Sequence, residues 1–455
     1  MTSESDSTSN GWIPWWLWWG GIGLFSLFLL LIGTYYGLTW KWKADFEEEI
    51  QKLKQDGHPH SPDALQKAYE ERTPNVKDDL NWKLPDSLRT IVDKKILSAD
   101  GIDILQDDWL KEPPEKRRNR SRKLLDLFNQ HESTLQNQLE KKIYPTKLDF
   151  SKGFTEISSS SVDLLNEGRI FSLYTRALIG TGQLKKATSI IHKLYRRGRV
   201  IRQEPLLMSL LLSNAFTSYA NSNMELLLQK NEIPQEALEA FQVAASKKIK
   251  QDALFVLEGD LVLGAEKCRT VIENGTANNM SLFFDFWSPD KHGVGYEWLP
   301  SGLFWLPASN FVRVYRKHLK LFQKPYYEIK PRLKRNKTHS SSDGYFDRFY
   351  QLFSQLIITS QSSIYENLND QRSRVELLHL AVRAKLHSQR DRSTLTPIPN
   401  IDESTDPYSG KPYKVKETNT HVILYSVGKN LKDDGGSIEE QNRNDPKDVG
   451  VKIKK

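Results

Sequence analysis

The chain has 455 residues, of which 38% are hydrophobic and 27% charged; this composition supplies a buried core but is too polar for a protein with many membrane spans. The formal net charge of +8 is spread over a sequence in which acidic and basic residues are interleaved, which argues against a nucleic acid partner. The only cysteine, Cys268, excludes an intramolecular disulfide bond and a metal site built from several cysteines.

The first predicted element is a membrane-spanning helix over residues 12–43, preceded by a disordered tail at 1–11. No charged residue occurs from Trp15 to Leu38, and these 24 residues would form a helix of about 36 Å. That length exceeds the hydrocarbon thickness of a bilayer, about 30 Å, and aromatic residues flank both ends. We therefore expect a single anchor that contacts membrane lipid through Trp12–Leu38.

Residues 44–160 are expected to form a polar region in which short helices alternate with linkers. His58 and His60 lie in the stretch DGHPHSPD, which predicts a surface loop, since two histidines do not make a metal site without further ligands. The basic run KRRNRSRK, from Lys116 to Lys123, has two interpretations. It is either the solvated first turn of a helix or a contact with anionic lipid headgroups.

Residues 161–395 show the periodicity of an α-helical body. A helix, a break at Gly180–Gly182 and a second helix predict a helical hairpin of the tetratricopeptide kind. Leu173, Ala177 and Leu178 have the spacing of one buried face, and a second apolar stripe follows the break. No fixed repeat period is found, so the pattern favours an irregular helical array over a regular solenoid. Cys268 lies in a helix-like run and is expected to be a packing residue.

Motifs of the common enzyme classes are missing from the sequence. There is no GxGxxG after a strand, no P-loop, no HExxH and no GxSxG. The aromatic stretch Phe283–Trp305 predicts either a loop that caps the core or an exposed hydrophobic patch that binds another molecule. If the protein is an enzyme of an unrecognised type, this loop is the place where its site is expected.

Two strand-like runs follow the helical body, and they predict a β-hairpin within residues 396–440. They are DPYSGKPYKVK and HVILYSVG, separated by a short polar turn and followed by the loop KNLKDDGG. Residues 441–455 are expected to form a disordered tail. The predicted fold class is thus mainly α, with one transmembrane helix, an irregular TPR-like body and a small C-terminal β-hairpin subdomain.

This C-terminal layout resembles that of the major pseudopilins of type II secretion. The matching residues are Asp406, Pro407, Tyr408, Gly410, Pro412, Tyr413, then Tyr425–Gly428, and then Asp433–Gly436. The chain as a whole is also similar to an uncharacterised family of membrane-anchored proteins from planctomycete-type bacteria. A pilin leader, its processing site and the glutamate that follows it are not found around the apolar segment, so the protein is not expected to be a pilin itself.

The pseudopilin resemblance implies a calcium loop after the second strand. Its ligands would be the Val427 carbonyl, Asn430 and the carboxylates of Asp433 and Asp434. Because calcium takes six to eight oxygen ligands, Asp445 or Asp448 would have to join them. The alternative is that these residues form an Asn/Asp/Gly turn that needs no metal. In that case the protein is expected to have no cofactor.

These features together predict a single-pass protein of the bacterial inner membrane, with its large domain on the extracytoplasmic side. The pseudopilin resemblance favours that side, whereas Lys41 and Lys43 after the apolar segment favour the cytoplasmic side by the positive-inside rule. The expected role is non-catalytic, with other proteins bound by the helical body. The alternatives are the enzyme considered above and an accessory component of a type II secretion or pilus-like system.

Overall fold

A computed structural model describes most of the chain. The described residues are 15–74, 85–93, 113–142, 144–151, 161–244, 246–274, 301–330, 345–392, 394–438 and 448–455. Within the helices, some stretches, chiefly 15–24 and 345–362, are described by their backbone alone. The predicted fold class is confirmed in its main feature, since the structure is mainly helical with a small C-terminal antiparallel sheet.

The helices and strands are given in chain order. They are α1 Trp15–Gln55, α2 Pro62–Arg72, α3 Asp86–Asp93, α4 Pro114–Asn129, α5 Glu132–Glu140, α6 Ser161–Thr181, α7 Leu184–Ile201, α8 Leu207–Leu228, α9 Glu239–Ala244, α10 Ser246–Glu273, α11 Trp305–Phe322, α12 Tyr345–Asp391, β1 Lys414–Glu417, β2 His421–Ser426 and β3 Val449–Lys454. Short 3₁₀ turns lie at Gln235–Ala237 and Ser301–Phe304. The chain forms two compact units, residues 1–52 with 268–313, and residues 53–267 with 314–455.

In the first unit, the part of α1 from Tyr35 onward packs against the end of α10 and the start of α11. The Phe46 ring lies 5.3 Å from the Trp305 ring, and both side chains are buried. Charged side chains of α1 on this side are paired, and one of them, Glu49, is almost completely buried, where a charge without a partner is costly. The pairs are Lys43–Glu273 at 2.9 Å, Glu47–Arg269 at 3.1 Å and Glu49–Arg313 at 3.3 Å. Cys268 is also buried here, as expected, and burial raises the pKa of its thiol to about 12.

In the second unit, α6 and α7 form the predicted helical hairpin. α6 ends at Thr181 and α7 begins at Leu184, and Gly182 takes a left-handed conformation (φ +86°) that a side chain would disfavour. The predicted apolar faces are buried, including Leu173, Ala177 and Leu178 on α6. These residues belong to a hydrophobic core that also includes side chains of α4, α8 and α12.

A buried ion pair lies inside this bundle. Arg197 of α7 and Glu167 of α6 are 1% and 2% exposed, and their side chains meet at 3.2 Å. Gln138 of α5 connects them, since its side-chain amide donates to Glu167 at 2.9 Å and its backbone carbonyl accepts from Arg197 at 2.6 Å. The guanidinium also lies 4.9 Å from the centre of the Phe171 ring. Burial raises the pKa of Glu167, against the opposing effect of Arg197.

The C-terminal sheet has three antiparallel strands in the order β1-β2-β3. The predicted hairpin corresponds to β1 and β2, in which Lys414 lies opposite Tyr425 and Glu417 opposite Val422. The third strand corrects the prediction, because β3 lies within the segment 441–455 that was expected to be a disordered tail. Its residues alternate between more and less buried positions, as a strand packed on one face requires.

The sheet shares the hydrophobic core of the helical body. Val422 and Leu424 of β2, with Val451 and Ile453 of β3, belong to the same buried cluster as α6, α7, α8 and α12. The outer edge of β3 is covered by side chains of two helices. Gln229, just after α8, donates to the Lys452 carbonyl at 2.9 Å, and Lys385 of α12 donates to the Lys454 carbonyl at 2.7 Å. The hairpin is therefore an integral part of the body and not a separate subdomain.

Gly180 allows α4 and α6 to approach closely, and replacing it by alanine should destabilise the fold. A Cβ atom at this position would overlap the side chain of Ser121, which is fully buried. We expect Gly180→Ala to lower the free energy of unfolding by about 1–3 kcal/mol, as overpacking does. Urea denaturation measures this loss. The double variant Gly180→Ala/Ser121→Gly should recover part of it, and strictly additive effects of the two changes would contradict the contact.

Candidate functional site

The most unusual surface of the described chain is the N-terminal half of α1. Phe25, Leu30 and Leu31 are 61%, 64% and 58% exposed, and every described residue from Phe25 to Thr34 is exposed. A helix of a water-soluble domain keeps such residues on one buried stripe, whereas here they are exposed on all sides. A contiguous apolar surface of this kind marks a site that contacts another apolar phase or molecule.

The predicted anchor, Trp12–Lys43, is only partly covered by the structure. Residues 12–14 lie outside the described chain, and for 15–24 the backbone alone is described. Among the described residues, no helix contains a stretch of 18 residues hydrophobic enough to cross a membrane.

The character of α1 changes at Tyr35. From this residue onward one side of the helix is covered, at Tyr35, Thr39, Trp42, Phe46 and Glu49. Successive residues of this set are four or three positions apart, the spacing of a single helix face. The 3₁₀ turn Ser301–Phe304 covers the first of them, since a Cβ atom on Gly302 would lie 2.6 Å from the Thr39 side chain and 2.8 Å from the Tyr35 hydroxyl. Tyr35 is thus the boundary between a bare and a packed part of one helix.

The C-terminal end of α1 is fixed by a helix cap and by charged side chains. Gly57 has φ +83°, and the N–H groups of Gly57 and His58 donate to the Lys54 and Leu53 carbonyls at 3.0 and 3.2 Å. This is the Schellman arrangement, in which glycine is favoured. His58, predicted to lie in a surface loop, instead contacts Glu258 of α10 at 2.7 Å and is largely buried.

Asp56 adds a second attachment of this end. Its carboxylate pairs with Lys320 at 2.8 Å and Arg316 at 3.1 Å, both on α11. The hydrogen bond from Lys320 is the main cause of the lowered pKa of Asp56. The helix is therefore capped and held in place where it ends, and the chain turns there into α2.

The motif DPYSGKPY is a structural turn built around Asp406, which is 1% exposed. Its carboxylate accepts hydrogen bonds from the Tyr408 N–H at 3.0 Å, the Ser409 hydroxyl at 2.8 Å and the Ser426 hydroxyl at 2.6 Å. Ser426 belongs to the second motif, LYSVG, so one carboxylate connects both motifs. Every oxygen of this side chain is thus used to hold the turn against β2.

Tyr408 attaches this turn to α12. Its ring is fully buried and packs edge-on against Tyr326 at 4.8 Å. Its hydroxyl donates to the Asp370 carboxylate, and it lies 3.1 Å from the Glu366 carbonyl. Burial raises the pKa of Tyr408 and of Asp370. No local signal in the sequence predicts these partners, because Asp370 and Glu366 lie about forty positions before the motif on a helix whose faces are not distinguished by composition.

The residues predicted to bind calcium lie close together, but their polar atoms are engaged with one another. Asp433 pairs with Lys414, which lowers the pKa of Asp433, and it also accepts from the Tyr425 hydroxyl at 3.2 Å. The Asn430 amide donates to Asp434 at 2.7 Å. In the part of the chain that the structure covers, no group of three or more His, Cys, Asp or Glu side chains is arranged to hold a metal ion.

Asp448 was predicted only as an additional calcium ligand. In the structure its side chain binds the backbone of the loop that follows β2. Its carboxylate accepts from the Asp434 N–H at 3.2 Å and the Gly436 N–H at 2.7 Å. Burial and the nearby charges of Asp434 and Asp433 raise the pKa of Asp448. Asp445 lies outside the described residues. The carbonyl of Val427 follows β2 directly, and the Val427 side chain is buried.

The place proposed for an enzyme site is mostly outside the structure. Residues 283–300 of the predicted loop Phe283–Trp305 lie outside the described residues, and its last residue, Trp305, is buried at the start of α11. A cleft between α10, α11 and α12 is lined by Lys250, Phe322, Tyr365 and Arg372, among others. The cleft has a cavity volume of only about 20 Å³, which leaves room for one or two water molecules. This space is too small for an organic cofactor.

Comparison with known proteins adds no family to these observations: no family model, no curated protein and no solved structure matches the chain. The resemblance to pseudopilins and to planctomycete-type membrane proteins therefore stays a prediction from the quoted residues.

Proposed function

We propose that the protein is a membrane-anchored, non-catalytic scaffold, held in a bilayer by residues 12–43 and presenting its helical body to other proteins. The observation that carries the proposal is the bare apolar half of α1, where Leu27, Phe28 and Leu29 are 53%, 57% and 52% exposed. A single protein partner would cover one side of a helix. A lipid phase contacts all sides, which is the pattern of these residues.

The boundary at Tyr35 supports this proposal. Tyr36 and Trp40 are 66% and 76% exposed at the end of the bare segment, and aromatic residues of this kind favour the membrane–water interface. The first charged residues, Lys41 and Lys43, follow immediately. The order along the helix is thus apolar segment, aromatic belt and charged packed segment, as expected for a helix that leaves a bilayer.

Charge substitution in the bare segment tests the attachment. An arginine near the centre of a membrane helix costs about 2.5–3.5 kcal/mol, so Leu29→Arg/Leu30→Arg should shift the protein from the alkali-resistant membrane fraction to the soluble fraction. The matched control is Met208→Arg/Leu211→Arg, at α8 residues that are 46% and 49% exposed. The control should stay in the membrane fraction. If the two double variants were divided equally between the membrane and soluble fractions, the anchor proposal would be wrong.

We also propose that the body lies on the extracytoplasmic side of a bacterial inner membrane, as the pseudopilin resemblance implies. A C-terminal alkaline phosphatase fusion should then be active and a fluorescent protein fusion at the same position dark. The opposite pair of results would place the body in the cytoplasm, in agreement with Lys41 and Lys43.

The scaffold role is supported by the structural part that buried polar residues play in the described chain. Asp406, Tyr408, Arg197 and Glu167 are all engaged in holding the fold together. Crosslinking in whole cells, followed by purification in detergent, should yield the protein with defined partners. Recovery of the protein alone under these conditions would contradict this role.

The loop after β2 is proposed to close without a metal. The ammonium of Lys414 neutralises Asp433, and Asp448 binds two backbone N–H groups of the loop. Millimolar calcium should therefore leave the melting temperature unchanged and give no saturable heat in calorimetry. Asp448→Ala should lower the free energy of unfolding by about 1–3 kcal/mol, because it leaves the buried Gly436 N–H unpaired. A saturable rise in melting temperature with calcium, abolished in Asp433→Asn, would restore the calcium loop.

A further inference from the structure

Arg202, at the C-terminal end of α7, carries a buried positive charge that has no ion pair. The residue is 5% exposed. Its Nε donates to the Ser213 hydroxyl at 2.9 Å and its Nη2 to the Thr217 hydroxyl at 3.1 Å, both on α8. These partners are neutral, and among the residues that the structure describes no carboxylate forms an ion pair with Arg202. Buried charges are normally paired because an unpaired one is costly, and Arg197 on the same helix is paired in this way.

The surroundings of Arg202 offset only part of its charge. The negative charge of Asp252 on α10 acts on Arg202, but the Asp252 carboxylate is in direct contact with Arg72 at 2.8 Å. The free carbonyls at the C-terminal end of α7 add roughly half a negative elementary charge. Burial is the stronger effect, and it lowers the pKa of Arg202 to about 10. An excess of positive charge is therefore left at this end of α7.

The guanidinium of Arg202 is fixed on one side and open on the other. Its Nε and Nη2 are held by α8, which lies close because a Cβ atom on Gly198 would be only 3.1 Å from the Thr217 side chain. Its Nη1 has no partner in the described chain, and it is not among the buried atoms that lack one, so it is in contact with solvent. A ligand can thus reach one nitrogen of a guanidinium whose position is already set.

A second arginine lies beside this open nitrogen. Arg199 precedes Arg202 by three positions, and Arg202 keeps a helical backbone conformation (φ −65°, ψ −17°). Side chains with this spacing are neighbours on a helix, with about 5–6 Å between their Cβ atoms. Arg199 is partly exposed, and no described carboxylate pairs with it. Two like charges so placed repel each other, and an anion bound between them removes that repulsion.

We propose that Arg199 and Arg202 bind a phosphate group. Guanidinium groups present planar sets of donors that match phosphate oxygens. The two positive charges also match a phosphate monoester, which carries about 1.5 to 2 negative charges at pH 7. The phosphate belongs either to a soluble phosphorylated molecule or to a phospholipid headgroup. Binding at this site does not depend on the membrane attachment proposed above.

The test uses the full chain in a neutral detergent at fixed ionic strength. Calorimetric titrations with inorganic phosphate and with micelles containing phosphatidylglycerol should show saturable binding of at least one of these probes. Binding of inorganic phosphate identifies a soluble molecule as the source, and binding of phosphatidylglycerol alone identifies a lipid headgroup. If neither probe bound saturably, the site would be wrong.

Arg199→Gln and Arg202→Met should each weaken the affinity at least about tenfold, the loss expected for one hydrogen bond to a charged group. The matched control is Arg196→Gln, which removes the same charge from an exposed position one turn before Arg199. It should change the affinity by about twofold or less. Equal losses in Arg196→Gln and Arg199→Gln would show attraction by overall charge and would overturn the site. Arg199 is partly exposed, so Arg199→Gln keeps the fold and carries the test if Arg202→Met does not fold.

Discussion

Replacing Arg197 by methionine is expected to lower the free energy of unfolding by about 3–5 kcal/mol, the cost of leaving a buried charge without its partner. Arg197 and Glu167 are both almost completely buried, and their contact at 3.2 Å is surrounded by apolar residues of α6 and α7. Methionine has a similar length, so little packing volume is lost. The loss should therefore come from the carboxylate of Glu167, and urea denaturation measures it.

Two variants distinguish this electrostatic cause from a general weakening of α7. Arg196→Met removes a neighbouring arginine that is exposed, and it should change the stability by less than about 0.5 kcal/mol. The double variant Arg197→Met/Glu167→Leu removes both charges and should recover part of the loss, because no charge stays buried without a partner, while the Gln138 side-chain amide and backbone carbonyl lose theirs. If the double variant were no more stable than Arg197→Met, the explanation from an unpaired carboxylate would be wrong.

Replacing Tyr408 by alanine should cost about 3–5 kcal/mol, as the removal of a fully buried aromatic side chain does. The ring fills the space between the DPYSGKPY turn and α12, where it contacts Tyr326. The Asp370 carboxylate also loses the Tyr408 hydroxyl as a hydrogen-bond donor. Chemical denaturation gives the total loss. Hydrogen exchange of β1 and β2 shows whether the sheet opens first.

Tyr408→Phe separates the hydroxyl from the ring. It keeps the packing and removes one donor to Asp370, so the expected loss is about 1–3 kcal/mol. Tyr327→Phe is the control, since Tyr327 is 39% exposed and should tolerate the change. A loss of less than 1 kcal/mol in Tyr408→Ala would show that the motif does not hold the sheet on the body.

The sequence predicted those helices and strands that follow from the spacing of nearby apolar and turn residues. The α6–α7 hairpin was predicted from apolar spacing and from the glycines of its turn, and strands β1 and β2 from alternation and turn residues. β3 was missed although its six residues, VGVKIK, show the apolar alternation of a strand; the segment is short and follows a run of polar residues. It becomes a strand by pairing with β2 and by contacts with α8 and α12, which come from distant parts of the chain.

The candidate sites were predicted less well, for the same reason. The sequence predicted the β-hairpin and the turns of Asp406–Gly436, and the pseudopilin resemblance led to the prediction of a calcium site in the loop that follows β2. It could not show that Lys414 would lie beside Asp433, because that contact depends on the register of β1 against β2.

The covered edge of β3 has a consequence for the behaviour of the protein at high concentration. An open strand edge is a template on which a second molecule can add its own strand, and this is a common start of aggregation. Here the Lys452 and Lys454 carbonyls, which such a strand would need, are already bonded to Gln229 and Lys385. On the opposite edge, β1 has only four residues, and three of them are charged. Copies of the protein at high concentration would therefore be protected from joining through their sheets.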